Sequence, residues 1–510
     1  MTAAPPSPAS AASTSAVVVD ERRGTRRDGG RHTGARRRPD PWRWREVLLA
    51  WLAARVVVGA ALAMTHFIAD QAQGTQHVTL RTTGLLGWDA GWYRTIAESG
   101  YGGAGAESRR FFPLLPMLVR GLAHLPGAAG REGPILLVIV NVCALGLALA
   151  LVRLAAVEGL GEDATFRLIW FTALAPPAFV LVMGYAEALA GLLAVAVFLG
   201  ARTRRFELAA LAGLLSGLCR PLGVLLVIPV AIEAARTLPW SLPLTRRLGP
   251  PPRPTGVSSP FGNVSSPHAA SAHPATATTA SASTTAASAS AASASASATA
   301  ALATAASASA ASASASASAS ADPSSPSTSA SLTAAPGSLW RPGGRLRGAS
   351  VGWQVAAVLA PLVGAGIYVA WSAHTYGDGF APFTMQRDAA RHGATSNPLA
   401  VLWHAASGAF HGELGTALHV PWILLAVVGL VVMYRRLPFS YALWSTLVLV
   451  AVLTGSNLDS GERYLYGAFP FLLVAALVTA RREIFTATLV AATTAMTLYA
   501  TLAFTLAYVP

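Results

Sequence analysis

Charge is what this 510-residue sequence has least of: Asp, Glu, Lys and Arg together make up 12%, about half of the roughly 25% usual in a soluble chain. So few ions cannot cover a water-facing surface of this size, and 53% of the residues are hydrophobic, with a mean hydropathy of +0.49. Lysine is absent, so all 37 cations are arginine, against 23 acids. A GC-rich coding genome accounts for that bias. Cysteine is nearly absent too. Cys143 and Cys219 lie in or at the end of apolar segments, which excludes a disulfide framework or a thiolate metal site and leaves them as small buried side chains. The first 45 residues hold no apolar h-region, so no cleavable signal peptide is expected and the first span should stay in place. No internal repeat of the transporter kind is found. His374, His392, His404, His411 and His419 are scattered without a tight spacing such as H-x-x-x-H, so neither a metal nor another cofactor is expected.

What is present is a series of hydrophobic runs, each near the ~20 residues that cross a bilayer core. They predict an all-α, polytopic transmembrane helix bundle. The expected spans are about 46–68, 133–156, 166–183, 186–201, 206–219, 222–236, 351–371, 419–434, 438–454, 464–480 and 484–508, roughly eleven in all. Four regions follow: a basic tail at 1–45, an N-terminal bundle at 46–250, an Ala/Ser linker at 251–345 and a C-terminal bundle at 346–510. Tail and linker lack the large apolar side chains that offset ordering entropy, and both read as disordered.

The arginines set the expected orientation. Arg22, Arg23, Arg26, Arg27 and Arg36 to Arg38 mark the tail as cytoplasmic. Arg202 to Arg205, Arg236 to Arg247, Arg435-Arg436 and Arg481-Arg482 then fall on the same side. This positive-inside pattern accounts for the basic balance without nucleic acid. The alternate connections fall outside, in a plasma-membrane protein: about 69–132, the neighbourhoods of Tyr185 and Arg220, 372–418 and 455–463. Arg109 and Arg110 in the first outer loop run against the rule locally.

The outer segments hold the chemically capable residues. The first reads Trp88-Asp89-Ala90-Gly91-Trp92-Tyr93, an acid between aromatics beside a membrane span. A carboxylate there loses hydration, its pKa is expected to rise, and it can serve as a general base. The apolar C–H faces of sugars suit the rings of Trp88, Trp92 and Tyr93, which would otherwise be interface anchors. Arg109-Arg110-Phe111-Phe112-Pro113 and Pro116 predict short helices along the membrane surface, with the arginines facing headgroups or a lipid phosphate. Glu187, after Gly184-Tyr185-Ala186, is an acid at membrane depth or a helix N-terminal carboxylate. Arg220 at a span junction needs an anion, which a phosphate or Glu187 would supply. Asp378 sits in the turn Tyr376-Gly377-Asp378-Gly379, ahead of Gln386, and could simply cap it. Arg463, in Glu462-Arg463-Tyr464 at a helix start, opposes the macrodipole preference; its guanidinium suits a phosphate held bidentately.

In order, these motifs resemble those of the PIG-V-like mannosyltransferases of the GT-C glycosyltransferase superfamily. The resemblance rests on Trp88-Asp89 with Trp92-Tyr93, Ile96-Ala97 and Gly100-Tyr101; on Phe111 to Pro116; on Tyr185 with Glu187; on Arg220-Pro221-Leu222-Gly223; on Tyr376-Gly377-Asp378 with Gln386; and on Glu462-Arg463-Tyr464 leading to Phe469-Pro470. It implies a GT-C-like bundle and an inverting transfer of mannose from a polyprenyl-phosphate donor on the extracytoplasmic face, without a nucleotide sugar or an obligatory metal. Asp89 then matches the family's loop aspartate, the base. Arg463 matches the arginine that contacts the donor phosphate; Arg220 is expected as a second contact, an extension beyond the match itself. Trp88, Trp92, Tyr93, Glu187, Asp378, Gln386, Glu462 and Tyr464 complete the expected substrate site. A lipid, a glycan or a protein remains open as acceptor. Two rival readings share the span count: a transporter or lipid-carrier flippase, and a non-catalytic membrane partner.

Overall fold

The computed structural model describes residues 42–71, 83–237, 351–385, 397–408, 419–454, 458 and 460–506. Gln386, most of the basic tail and the whole Ala/Ser linker lie outside the described residues. The described chain is helical, with no strand among its elements. Its α-helices are α1 (Trp44–Gln71), α2 (Asp89–Gly103), α3 (Leu114–Ala123), α4 (Glu132–Val157), α5 (Glu162–Leu174), α6 (Glu187–Arg202), α7 (Phe206–Cys219) and α8 (Val227–Ala235). After the linker come α9 (Val351–Tyr376), α10 (Pro398–Gly408), α11 (Val420–Arg436), α12 (Phe439–Leu453), α13 (Gly461–Gly467), α14 (Pro470–Val478) and α15 (Arg482–Phe504). A four-residue turn, Ala381–Thr384, follows α9.

Four helices are long and apolar enough to cross a membrane: α1, α4, α9 and α15. They turn large side chains outward, among them Leu49, Leu52 and Val56 of α1 and Val138 and Val142 of α4. Such a surface calls for lipid rather than water. Helices also occupy the other stretches read as spans, but they are shorter, at 9 to 17 residues. Two expected spans are interrupted. The stretch 464–480 is not continuous: α13 and α14 meet at an angle of 83° and count as at most a fifth, broken span. Ala468 leaves helical geometry there, and Pro470 then starts a new helix at its first position. The stretch 166–183 ends as α-helix at Leu174, because Pro176-Pro177 bar its continuation and start a 3-10 turn over Pro176–Leu181.

Glycines set the closest packing, between α7 and α9. A Cβ on Gly217 would run into the Pro361 carbonyl, and one on Gly364 into the Leu214 carbonyl. Only hydrogen at these positions lets the backbones touch, which joins the chain segments on either side of the linker.

Helix α6 organises the polar interior, with a charged cluster at each end of its 16 residues, about 24 Å apart at 1.5 Å per residue. At its C-terminal end Arg202 grips both oxygens of Glu158, at 2.6 and 2.9 Å, and reaches Glu233 at 3.2 Å. Arg236, Ser440 and Tyr441 complete that cluster on the same two carboxylates. Two arginines thus balance two acids, and each of the four side chains is hydrogen-bonded within the cluster, as buried charges require. Of the cysteines, Cys219 is buried and Cys143 only half-buried; both are free.

Candidate functional site

The other end of α6 carries the candidate site, built from four distant parts of the chain. The first is the turn leading into α2. Gly184 donates its N–H to the Leu85 carbonyl at 3.0 Å. A side chain on Gly184 would strike Ala90 and Leu136, so the Met183–Tyr185 turn lies directly on the first turn of α2. Trp88 precedes that helix with φ +55°, a conformation a bulky residue rarely adopts. Its indole N–H donates to the Ala503 carbonyl at 2.9 Å, which ties the strained residue to the end of α15. Asp89 is then the first residue of α2.

Arg463 enters in a similar way. It lies in the first turn of α13, just after Ser460, which has φ +62°. The described non-glycine residues include only five with positive φ, and two of them launch the helices that carry Asp89 and Arg463. Strain of this kind persists where surrounding structure enforces it, and it concentrates at functional sites.

Arg463 donates from a terminal nitrogen to Asp89 Oδ2 at 2.8 Å, across 374 positions of sequence. Its Nε also lies 3.1 Å from Glu187 Oε1. That N–H does not point at the oxygen and has no hydrogen-bond partner, so this contact is Coulombic. Arg220 donates to the same Glu187 oxygen. Its place is fixed by an extended backbone, by Pro221 opening the next 3-10 turn, and by Gly223 pressed onto the Ser216 carbonyl. The two guanidiniums flank the Tyr464 ring at 5.0 and 5.2 Å, and Tyr185 faces Arg463 at 5.1 Å. A cleft of about 50 Å³ opens beside them, lined by Glu187, Arg220, Arg463 and Tyr464 and by the apolar Leu226, Trp444 and Val448.

The members differ in access. The side chains of Glu187 and Arg463 are 3% and 6% exposed, whereas Asp89 is 26% exposed. Asp89 is thus the accessible end of a buried ion network. Its pKa corrects the expectation of a raised value. Burial is the largest influence and pushes it up, but Arg463, Arg110 and Arg220 together outweigh burial and hold it below the usual carboxylate range. Asp89 is therefore ionised at neutral pH.

Not every expected site residue joins this network. Trp92 stacks on Phe111 at 5.9 Å and stays partly open, while Tyr93 is buried with its ring edge-on to Phe111 at 5.1 Å. Asp378 is exposed and makes its turn: its carboxylate accepts the Phe380 N–H at 2.9 Å and its carbonyl accepts the Ser372 hydroxyl at 2.7 Å. Glu462 turns to His419, with Nδ1 to Oε2 at 2.7 Å and both residues buried. Among the described residues no group of three or more His, Cys, Asp or Glu could hold a metal ion.

Three features were missed in the sequence: the backbone strain at Trp88, the His419–Glu462 pair, and the pull of Arg110 on Asp89. Only the last left a signal, as an arginine on the wrong side of the charge rule. Compared with known proteins, the chain matches no family model, no curated protein and no solved structure at a significant level.

Proposed function

We propose that this chain is a GT-C-like glycosyltransferase of roughly eleven membrane-embedded helices, which moves a mannose from a polyprenyl-phosphate donor to an acceptor hydroxyl on the extracytoplasmic face. One observation carries the reading: Asp89, Glu187, Arg220 and Arg463 converge at one end of the bundle, beside a partly apolar cleft. Two guanidiniums suit a phosphate, and the cleft walls of Leu226, Trp444 and Val448 suit the first isoprene units.

The chemistry follows from these roles. The acceptor oxygen attacks the anomeric carbon and forms the new glycosidic bond. Its proton passes to the Asp89 carboxylate. On the opposite face the bond from that carbon to the phosphate oxygen breaks, and the electron pair leaves on polyprenyl phosphate. Arg463 and Arg220 stabilise the charge that builds there. Polyprenyl phosphate, a phosphate monoester, is a good leaving group, so no strong general acid is required. Attack from one face with departure from the other inverts the anomeric centre. Trp92, half-buried on the helix that carries Asp89, is the ring against which a sugar face would stack.

A carrier or flippase would share the sharply bent α13–α14 pair. Reconstituted vesicles separate the readings. With labelled polyprenyl-phosphate mannose and candidate lipid, glycan or protein acceptors, the transferase reading expects mannosylated product together with free polyprenyl phosphate, both absent in Asp89→Asn. Passage of intact donor across the bilayer without bond cleavage would sink it.

A further inference from the structure

Resting on that reading, we infer that the Asp89 carboxylate occupies the place of a donor phosphate oxygen on Arg463, so donor binding must displace the base before the base can work. The geometry has three parts. First, Arg463 points one terminal nitrogen at Asp89 Oδ2 from 2.8 Å, a contact that an incoming phosphate oxygen would reproduce. Second, the two acids are held unequally. Glu187 is 3% exposed and engages both Arg220 and Arg463. Asp89 is 26% exposed and, among the described residues, has Arg463 as its one ion-pair partner. Asp89 is the carboxylate that can leave, while Glu187 stays as the counter-ion that aligns the two cations. Third, displacement does not strand a bare charge. The Arg110 guanidinium, whose buried Nε has no hydrogen-bond partner among the described residues, also acts electrostatically on Asp89. It packs against the Phe111 ring at 4.4 Å.

An aspartate gripped by Arg463 is a poor base, because the guanidinium stabilises the charged form. Moving that grip to a phosphate weakens it and raises the basicity of Asp89 at the moment a sugar sits beside it. The site is then ordered: donor first, acceptor deprotonation second. Without a donor, the base stays engaged and no acceptor hydroxyl is activated.

This assigns Asp89 two opposed effects, which one binding experiment can read. Full-length protein in nanodiscs is titrated with a long-chain polyprenyl monophosphate carrying no sugar. Wild type should bind saturably, and Arg463→Gln should bind more weakly. Asp89→Asn should bind about tenfold tighter than wild type, since it removes the competing charge from a partly buried cation. Asp89→Ala should show the same gain, which separates charge removal from any new amide contact. Glu98→Gln, in an exposed ion pair with Arg94, should match wild type. Thermal melts of each variant confirm that a folded protein was titrated. Unchanged or weaker binding in both folded Asp89 variants overturns the displacement inference while leaving the transferase reading standing. No saturable binding in wild type overturns both.

Discussion

Glu187→Gln tests the architecture of the site most sharply. Glu187 is 3% exposed, and one of its oxygens serves both Arg220 and Arg463. The amide keeps the volume but removes the charge, so Arg220 loses its carboxylate partner and Arg463 keeps only Asp89. Breaking a buried ion pair on one side costs about 3–5 kcal/mol, because the remaining charge stays buried without compensation. At about 2–4 °C per kcal/mol, the rate for mid-sized domains, the melting temperature in detergent should fall by at least about 6 °C. The comparison is Glu98→Gln. Glu98 pairs with Arg94 at 2.6 Å, but both side chains are more than a third exposed, and such pairs contribute about 0–1 kcal/mol. Its melt should shift by less than about 4 °C. Adding Arg220→Met to Glu187→Gln should recover part of the loss, since the second change removes the stranded cation. If Glu187→Gln melts with wild type, Glu187 is not the counter-ion of a buried pair, and the account of the network is wrong.

Gly217→Ala should disrupt the α7–α9 contact, because its Cβ would meet the Pro361 carbonyl; a monodisperse gel-filtration peak with an unchanged melt would contradict that packing. Asp89 has a depressed pKa, so its contribution to stability is present above the unfolded value near 3.9 and is lost as pH falls through the folded value. Transfer under donor-limited conditions, which reports the free enzyme, should therefore show no acid limb from Asp89 above about pH 4; wild type and Asp89→Asn should likewise converge in stability only below that range. Sidedness follows from the arginine pattern. Asp378→Cys should label with an impermeant reagent from outside intact cells, and Arg481→Cys only after permeabilisation; the reverse result would invert the proposed topology.

Much of this was legible because polar residues in an apolar chain are conspicuous. Asp89, Glu187, Arg220 and Arg463 each stood out against hydrophobic neighbours, and the hydrophobic runs marked where helices form. Lengths and breaks were harder to read. The run through 464–480 is apolar throughout, and hydropathy is blind to the bend that Ala468, Phe469 and Pro470 impose. The sign of the Asp89 shift was not legible, because it depends on Arg463 and Arg220, which are distant in sequence and arrive only on folding. Asp378 and Glu462 looked like site acids by type. In the structure Asp378 accepts a hydrogen bond within its own turn and Glu462 pairs with His419, partners set by side-chain direction. Trp88 carries its strain in the backbone, where composition leaves no mark.

The central claim is that Asp89 and Arg463, from opposite ends of the chain, form one catalytic unit. A double-mutant cycle on single-turnover mannose transfer tests it directly, using wild type, Asp89→Asn, Arg463→Gln and the double variant in vesicles with saturating donor. Residues that act as a unit are strongly non-additive. The account predicts that each single change removes nearly all transfer and that the double variant is no slower than the worse single one. Effects that multiply independently, or a single variant with wild-type transfer, would contradict it.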